Sequence, residues 1–329
     1  MGSAADAAGA FRHDAFLYAG EKQFLAGTTA FVRGGLDAGE AVLVAVVEPR
    51  ASLLAAALGA DADRVEFLDM ARIGRNPARM LPAWQDWVDR QTSAGAGGAA
   101  GAAGGPRGLR GVGEPIWAHR SPAEIVECQQ HEQLLNTAFD DGPAWWLLCP
   151  YDTEALPAPV IDRARDTHPG YVAGDGDAWE PSTTYPDTGF SFGEMFGGPL
   201  DEPAVPVCEV SYDVQGLREL RGRVSDFAES VLGRNGAGNA ALVVDELATN
   251  SVLHGGGAGL LRMWQEGQTV VFEARDHGTI VDPLVGRRRP VGSATGRAGL
   301  WIVNQLCDLL QIRSDPDRGT VVRAHLAGG

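Results

Sequence analysis

The sequence predicts an α/β protein of two domains, the first of which is built around a parallel sheet. The chain has 329 residues, which is long enough for two domains with separate cores. Residues 11–173 alternate short apolar runs with amphipathic segments, as repeated strand–helix units do. Residues 207–327 instead contain long amphipathic helices, a short buried strand, a glycine-rich helix start and a final strand.

Residues 11–173 are predicted to form a doubly wound parallel sheet. The run GEAVLVAVVEP at 39–49 is continuously apolar, as expected of a strand that is buried on both faces. The Gly/Ala tract 93–108 has too little apolar bulk to pack and predicts a flexible surface loop. Residues 174–206, rich in Gly, Pro, Asp, Ser and Thr, predict a linker whose aromatic residues favour docking on a domain.

The composition excludes several classes of function. The net charge of −16 argues against a general nucleic-acid surface, because phosphate binding requires basic stripes. No apolar run approaches the roughly 18 residues of a membrane span, and the N-terminus lacks a signal-peptide pattern. The four cysteines are scattered, which is typical of reduced thiols. We therefore expect a soluble, cytoplasmic protein without membrane or nucleic-acid partners.

A polar pair interrupts the apolar pattern of the helix that is predicted over 241–256. Asn239 is expected to cap this helix, and Leu253 belongs to its apolar stripe. Glu246 and Asn250 are four residues apart and therefore lie on one face. A carboxylate there can accept a proton, and an amide oxygen is a ligand for Mg²⁺. An isolated Glu–Asn pair of this kind is more often part of a plain helix surface. The sequence that follows the helix therefore decides whether the pair is functional.

Three further groups follow this helix in order. A buried strand at 270–274 runs into DHG at 276–278, where the carboxylate can accept from an adenine amine and the glycine admits the ring. The segment GRAGL at 296–300 opens an apolar helix, whose first amides can hold phosphate. Thr320 begins the last strand, where its hydroxyl can complete the adenine contacts. The arginine triplet 287–289 fits a solvated loop and a phosphate or partner contact equally well.

This arrangement resembles the GHKL ATPase family (the Bergerat nucleotide-binding fold), in the branch of the anti-sigma factor serine kinases. The resemblance covers residues 207–327 and implies an α/β sandwich that binds ATP and Mg²⁺. It implies that Glu246 is the catalytic base, that Asn250 binds Mg²⁺, and that residues 283–298 form a mobile lid. The residues that it assigns to the nucleotide are Asn250, Asp276, Gly278, Gly296, Arg297, Gly299, Leu300 and Thr320.

The same resemblance implies partners and leaves two functions open. Residues 174–206 contain no histidine that could accept phosphate, so phosphate would go to a separate protein. By resemblance, that is a serine or threonine of an anti-anti-sigma (STAS-type) protein, with a sigma factor as the second partner and homodimers as in related domains. The family's D-x-G-x-G motif reads DHGTI here, and β-branched Ile280 stiffens a lid hinge. The alternative is therefore a non-catalytic module that sequesters its partner.

Residues 11–173 resemble the MEDS sensory domains, which are related to RecA/KaiC-type ATPases without their phosphate loop. HDAFLY at 13–18, GEPIW at 113–117, CPYD at 149–152 and HP at 168–169 carry the resemblance. The segment AGEKQFL at 19–25 lacks the phosphate-loop residues, so no nucleotide is expected in this half. The domain is expected to detect an unidentified small molecule and to control the ATPase domain. The candidate pocket residues are His13, Glu114, Tyr151, Asp152 and His168, each of which also has a plain local interpretation.

Overall fold

The computed structural model describes residues 10–96, 108–174, 178–186, 189–290 and 298–328. Two compact units divide the chain between residues 189 and 190. None of the described helices combines the length and apolarity that a membrane span requires.

The N-terminal unit contains a seven-stranded sheet in the order β3-β2-β4-β5-β1-β6-β7, in which only the last pair is antiparallel among the described strands. The predicted parallel sheet is thus confirmed. Its elements are β1 (Arg12–Tyr18), α1 (Gly20–Ala38), β2 (Ala41–Val46), α2 (Arg50–Leu58), β3 (Val65–Asp69), α3 (Met70–Ile73), α4 (Met80–Ala96), β4 (Leu109–Gly113), α5 (Pro122–Phe139), β5 (Trp146–Asp152), α6 (Ala158–Thr167), β6 (Gly170–Ala173) and β7 (Trp179–Pro181).

Burial explains the central strands of this sheet. Residues Val42 to Val46 of β2 are all buried, since helices cover both faces of a doubly wound sheet. Helix α1 ends at Gly39, whose φ of 74° suits a residue without a side chain. Helix α5 begins with a capping box between Ser121 and Glu124, so its start is fixed by local sequence.

The C-terminal unit is an α/β sandwich, in which an antiparallel sheet in the order β11-β12-β10-β9-β8 packs against helices. The predicted fold class is confirmed in this half as well. Its elements are α7 (Phe192–Phe196), β8 (Cys208–Asp213), α8 (Leu217–His254), β9 (Ala258–Glu266), β10 (Thr269–Asp276), α9 (Gly299–Leu306), β11 (Leu309–Asp315) and β12 (Gly319–Ala327).

Helix α8 corrects two details of the sequence prediction. The helix runs on through Asn239, which is therefore not an N-cap, and its break lies at Gly233, where φ is 67°. Leu253 is 63% exposed and does not belong to the buried stripe, which consists instead of small and branched residues such as Ala240, Val244 and Leu247. Leu253 therefore lies on the solvent side of the last turn, whereas Ser251 of the same turn is buried.

The segment 174–206, which we predicted as a linker, carries defined structure at both ends. Strand β7 extends the N-terminal sheet, and α7 buries Phe196 completely in the C-terminal unit. Asp201 and Glu202 then lie on the sheet face opposite Phe272, which packs against α8. Of the predicted loop 93–108, residues 93–96 complete α4, and residues 97–107 lie outside the described part of the chain.

A buried carboxylate holds this second face of the sheet together. Glu273 of β10 is fully buried and accepts hydrogen bonds from Arg262 of β9 (2.9 Å), Arg275 (2.7 Å) and Arg323 of β12 (2.7 Å). Burial alone would raise the pKa of Glu273, but the guanidinium groups outweigh it and hold the pKa below its ordinary value. Glu202 bridges Arg262 and Arg275 from the solvent side.

We expect Glu273→Gln to destabilise the C-terminal domain by about 3–5 kcal/mol, because three guanidinium groups would lose a buried anionic partner. Urea denaturation followed by circular dichroism measures this loss. Glu202→Gln is the matched control and should cost much less, since the Glu202 side chain is 64% exposed. Equal losses in the two variants would contradict the importance of the buried carboxylate.

Candidate functional site

A cavity of about 720 Å³ opens between α8, the sheet and the segment that follows β10. Its walls combine apolar side chains with a few polar groups, as ligand pockets commonly do. The lining residues include Leu247, Asn250, Ser251, Asp276, Gly278, Thr279, Ile280, Val285, Arg288, Arg289, Gly299, Leu300 and Thr320. The sequence-predicted residues Asn250, Asp276, Gly278, Gly299, Leu300 and Thr320 are thereby brought together.

The Asp276 carboxylate has a fixed orientation in this cavity. Its Oδ2 accepts a hydrogen bond from the Ser251 hydroxyl (2.6 Å), and its Oδ1 accepts one from the backbone N–H of Gly278 (2.8 Å). A Cβ added at Gly255 would lie 2.3 Å from Asp276 Cγ, so α8 can approach this side chain only through a glycine. The sequence analysis did not predict Ser251 as a site residue, although it directly follows Asn250 on the same helix.

A second chain of hydrogen bonds joins the glycine turn to the end of the sheet. The hydroxyl of Thr320 donates to the Gly278 carbonyl (2.8 Å) and lies 2.8 Å from the hydroxyl of Ser314. Ser314 Oγ in turn accepts from the backbone N–H of Ile280 (2.9 Å). The turn after β10 is thus held by the hairpin of β11 and β12, where Thr320 pairs with Asp276.

Glu246 and Asn250 meet at the start of α9. A Cβ added at Gly299 would lie 2.8 Å from Glu246 Oε2 and 3.2 Å from Asn250 Nδ2. Both side chains are half-buried, and Glu246 lies behind Gly299 and does not line the cavity itself. Burial, followed by the negative charge of Asp245, raises the pKa of Glu246 above its ordinary value. A carboxyl group with a raised pKa is a stronger base when ionised.

The segment after the glycine turn packs against α9. Asn304 donates to the Gly286 carbonyl (2.9 Å), and a Cβ on Gly286 would lie 2.7 Å from Leu300 Cβ. The arginine triplet divides, because Arg287 is buried whereas Arg288 and Arg289 are exposed and line the cavity. Residues 291–297 lie outside the described residues. They include the predicted site residues Gly296 and Arg297 and the second half of the predicted lid.

In the N-terminal unit, three of the five candidate pocket residues meet in the core. His13 of β1 and His168, after α6, lie on either side of Glu132 of α5, at 2.9 and 3.1 Å from its Oε2. The ring of Tyr151 contacts that of His168 edge-on, with centroids 5.7 Å apart. Cys149 of β5 completes the group, its sulfur lying 3.4 Å from His13 Nε2. All five side chains are fully buried.

Burial dominates the titration of this group. It raises the pKa of Cys149 and of Tyr151 well above their ordinary values, and the nearby Glu132 carboxylate adds to both shifts. Burial and the neighbouring His168 lower the pKa of His13. Sequence reasoning missed Glu132 and Cys149. The sequence shows only a run of four polar residues at 130–133, which is typical of a helix surface, and it is the structure that buries all four.

The other two candidates, Glu114 and Asp152, belong to a different cluster. Arg50 forms ion pairs with both carboxylates, at 2.9 Å from Asp152 Oδ2. Asp152 Oδ1 also faces the backbone N–H of Gly20, the first residue of α1 (3.4 Å). Tyr151 and Asp152 are adjacent on β5 and point to opposite faces of the sheet, so the five candidates do not form one pocket. A carboxylate of this chain thus lies at the N-terminal end of α1, where backbone N–H groups favour an anion.

Comparison with known proteins agrees with this division of the chain. Residues 12–169 match the model of the MEDS family, the MEthanogen/methylotroph, DcmR Sensory domain. Residues 210–326 match that of the histidine kinase-like ATPase domain. No match to a curated protein reaches significance. A crystal structure of the RsbU and RsbW domains of Rv1364c from Mycobacterium tuberculosis aligns with 37% of this chain and 32% of its own, at 16% identity and a TM-score of 0.28.

The C-terminal unit is thus matched as a histidine kinase-like ATPase domain, whose antiparallel sheet and helices fit that class of domain. More particularly, the chain combines a MEDS sensory domain with that ATPase domain, which confirms the pairing that the sequence motifs indicated. This chain spans about a third of the length of the aligned RsbU–RsbW structure.

We expect Gly255→Ala to destabilise the C-terminal domain by about 1–3 kcal/mol, because the added methyl group would displace the Asp276 carboxylate from its two donors. Gly238→Ala is the matched control in the same helix, where an added Cβ meets no atom within 4 Å. That substitution should stabilise the helix by up to about 1 kcal/mol. Thermal unfolding of both variants tests the contrast, and a stabilised Gly255→Ala protein would refute it.

Proposed function

We propose that the C-terminal domain binds ATP with Mg²⁺ and that the chain is an anti-sigma regulatory protein with serine/threonine kinase activity under the control of its MEDS domain. The observation that carries this proposal is the oriented Asp276 carboxylate in a cavity that also holds Asn250 and Gly299. The remaining residues support particular parts of the proposed reaction.

Adenine is the base that suits Asp276. Both of its oxygens accept hydrogen bonds, from Ser251 and Gly278, so the group acts as an acceptor in this cavity. A ligand atom that faces it must therefore donate, as the exocyclic N6 amine of adenine does; guanine carries the acceptor O6 at that ring position and would have to turn its N1–H and N2 edge toward Asp276 instead. The hydroxyl of Thr320 and the backbone of Gly278 would border the same ring. Asp276 is thus proposed to select adenine nucleotides over guanine nucleotides.

The other end of the cavity suits phosphate and a divalent cation. The amide oxygen of Asn250 is a hard ligand of the kind that Mg²⁺ accepts. Gly299 is the first residue of α9, where unpaired backbone N–H groups and the helix dipole favour an anion. Arg288 and Arg289 add positive charge to the cavity wall. Gly296 and Arg297 remain proposals from the sequence motif alone.

Glu246 is proposed as the base of the phosphoryl transfer. Bound ATP with Mg²⁺ would supply the phosphoryl group and the neutralising charge. The ionised Glu246 carboxylate would accept the proton of a serine or threonine hydroxyl as that oxygen attacks. Gly299 keeps a hydroxyl-sized approach open between Glu246 and Asn250, since a methyl group there would fill it. The hydroxyl would come from a STAS-type partner, with a sigma factor as the second protein bound.

One observation favours the alternative of a non-catalytic module that sequesters its partner. Thr279 and Ile280 line the cavity where the family pattern has a second glycine. The backbone N–H of Ile280 is also bonded to Ser314, which fixes the start of the lid segment. A stiff hinge would slow lid movement more than it would weaken nucleotide binding.

Isothermal calorimetry tests the nucleotide site. We expect the wild-type protein to bind ATP with Mg²⁺. Asn250→Ala should lose most of the increase in ATP affinity that Mg²⁺ causes, so that it binds ATP with Mg²⁺ at least tenfold more weakly. Asn239→Ala, an exposed asparagine on the same helix, is the control and should bind like wild type. If wild type binds no ATP, the proposed site is wrong. GTP should bind at least tenfold more weakly than ATP.

Transfer of radiolabelled phosphate to STAS-type proteins tests the kinase. Glu246→Gln should abolish phosphate transfer while ATP binding persists. Glu229→Gln changes an exposed residue of the same helix and should leave phosphate transfer unchanged. Binding without transfer by the wild type would favour the sequestering module.

We expect Asp245→Asn to shift the acid limb of the kcat/KM profile for transfer to lower pH. Asp245 raises the pKa of Glu246, so removing its charge lets Glu246 ionise at lower pH. Activity is lost as pH falls through the pKa of the base, which sets the direction of the shift. The pH profile of transfer in wild type and variant measures it. A shift to higher pH would exclude Glu246 as the titrating base.

A further inference from the structure

We propose that His13, Glu132, Cys149 and His168 bind one divalent transition-metal ion, most suitably Zn²⁺, inside the MEDS domain. The potential ligand atoms of these four residues all lie within 4.8 Å of one another. They come from four separate parts of the domain, namely β1, α5, β5 and the residue after α6. Four buried metal-binding side chains from distant positions in the sequence thus converge at one point of the domain.

The contacts between these atoms are short but are not ordinary hydrogen bonds. Glu132 Oε2 lies 2.9 Å from His13 Nε2 and 3.1 Å from His168 Nε2. Neither contact has the alignment of a hydrogen bond, and neither oxygen of Glu132 has such a partner among the described residues. A fully buried carboxylate without an aligned donor is costly. A cation placed between the three groups would satisfy all of them.

The outer nitrogens of both imidazoles are already engaged. His168 Nδ1 lies 2.7 Å from the Ala164 carbonyl oxygen, which can only accept, so Nδ1 carries the hydrogen. His13 Nδ1 lies 3.1 Å from Asn136 Oδ1, and Asn136 Nδ2 donates to the Thr167 carbonyl, which fixes that oxygen toward His13. With Nδ1 engaged in each ring, Nε2 is the nitrogen left to bind a metal ion, and in both rings it faces Glu132. Metal-binding histidines are held in this way by second partners.

The donor set determines the class of metal. Two imidazoles, one thiolate and one carboxylate suit Zn²⁺ and related transition ions, whereas Mg²⁺ and Ca²⁺ prefer oxygen ligands. Metal–ligand bonds of about 2.0–2.3 Å in a tetrahedron place ligand atoms roughly 3.3–3.8 Å apart. The separations of 2.9, 3.1 and 3.4 Å would expand slightly, and the wider ones, which reach up to 4.8 Å, would contract as the four ligands closed on an ion. Cys149 would release its proton as its sulfur binds the ion.

The burial of the site defines its role. His13, Glu132, Cys149 and His168 are each no more than 1% exposed, and four protein ligands fill a tetrahedral ion. The site is thus of the closed, structural type, and the ion would tie α5 to the central strands. Cys128, a second buried thiol of the same domain, instead donates to the Pro115 carbonyl (3.2 Å) and is absent from the group of four.

Metal analysis of the purified full chain tests the proposal. We expect about one Zn²⁺ per chain in the wild type and in the control Cys128→Ser, and less than a tenth of that in Cys149→Ser. Protein depleted with a chelator and reloaded with Co²⁺ should show the intense visible bands of a tetrahedral site and a thiolate-to-metal charge-transfer band. The latter should be absent in Cys149→Ser.

Two outcomes would overturn the proposal. The first is wild-type protein that contains no metal and takes up neither Zn²⁺ nor Co²⁺, which would leave a histidine–carboxylate network that shares protons. The second is an unchanged thiolate band in Cys149→Ser, which would place the ion elsewhere. If Cys149→Ser does not fold by circular dichroism, His168→Gln is measured instead, and the Co²⁺ spectrum of the wild type alone still decides whether a thiolate binds metal.

Discussion

The carboxylate of Asp276 is the contact on which the C-terminal domain and its cavity depend. It joins α8, through Ser251, to the turn after β10, through Gly278. This junction is possible only where side chains are absent, because a Cβ at Gly255 would meet Asp276 Cγ at 2.3 Å and one at Gly319 would meet the Asp276 carbonyl oxygen at 2.1 Å. The cavity opens beside this junction, with Asp276 and Gly278 in its wall.

The N-terminal domain uses its polar residues differently. Its buried charges are satisfied from within, as Arg50 lies between Glu114 and Asp152, and Glu132 lies between two histidines. Asp152 also faces the backbone N–H of Gly20 in the first turn of α1, so a carboxylate of the chain itself lies at the end of this helix that favours anions. The second buried polar cluster of the domain, which includes Cys149 and Tyr151, lies on the opposite face of β5 from Asp152.

Local patterns predicted what depends on spacing along the chain. Glu246 and Asn250 share a helix face, and Asp276 and Gly278 follow a strand, so the sequence alone indicates these pairs. Contacts between distant segments were missed, such as Ser251 with Asp276 and Glu132 with His13. Asn239 was predicted as a cap because capping residues are common there, but the helix had already begun after Gly233. Tertiary packing, which a single sequence does not display, decided each of these cases.

The proposed nucleotide site and the proposed lid segment are held by different hydrogen bonds near Ile280. The end of the cavity where we propose that adenine binds is bordered by the contact between Thr320 and Gly278, which does not depend on a glycine at position 280. Ile280 is anchored instead to Ser314 of β11, so any swing of the following segment must begin after that bond. Asp282 already stabilises the next turn by accepting from the backbone N–H of Leu284 (2.9 Å). A glycine at position 280 would donate the same backbone bond, so the β-branched side chain of Ile280 is what would stiffen the proposed lid segment, while the contact between Thr320 and Gly278 is unaffected.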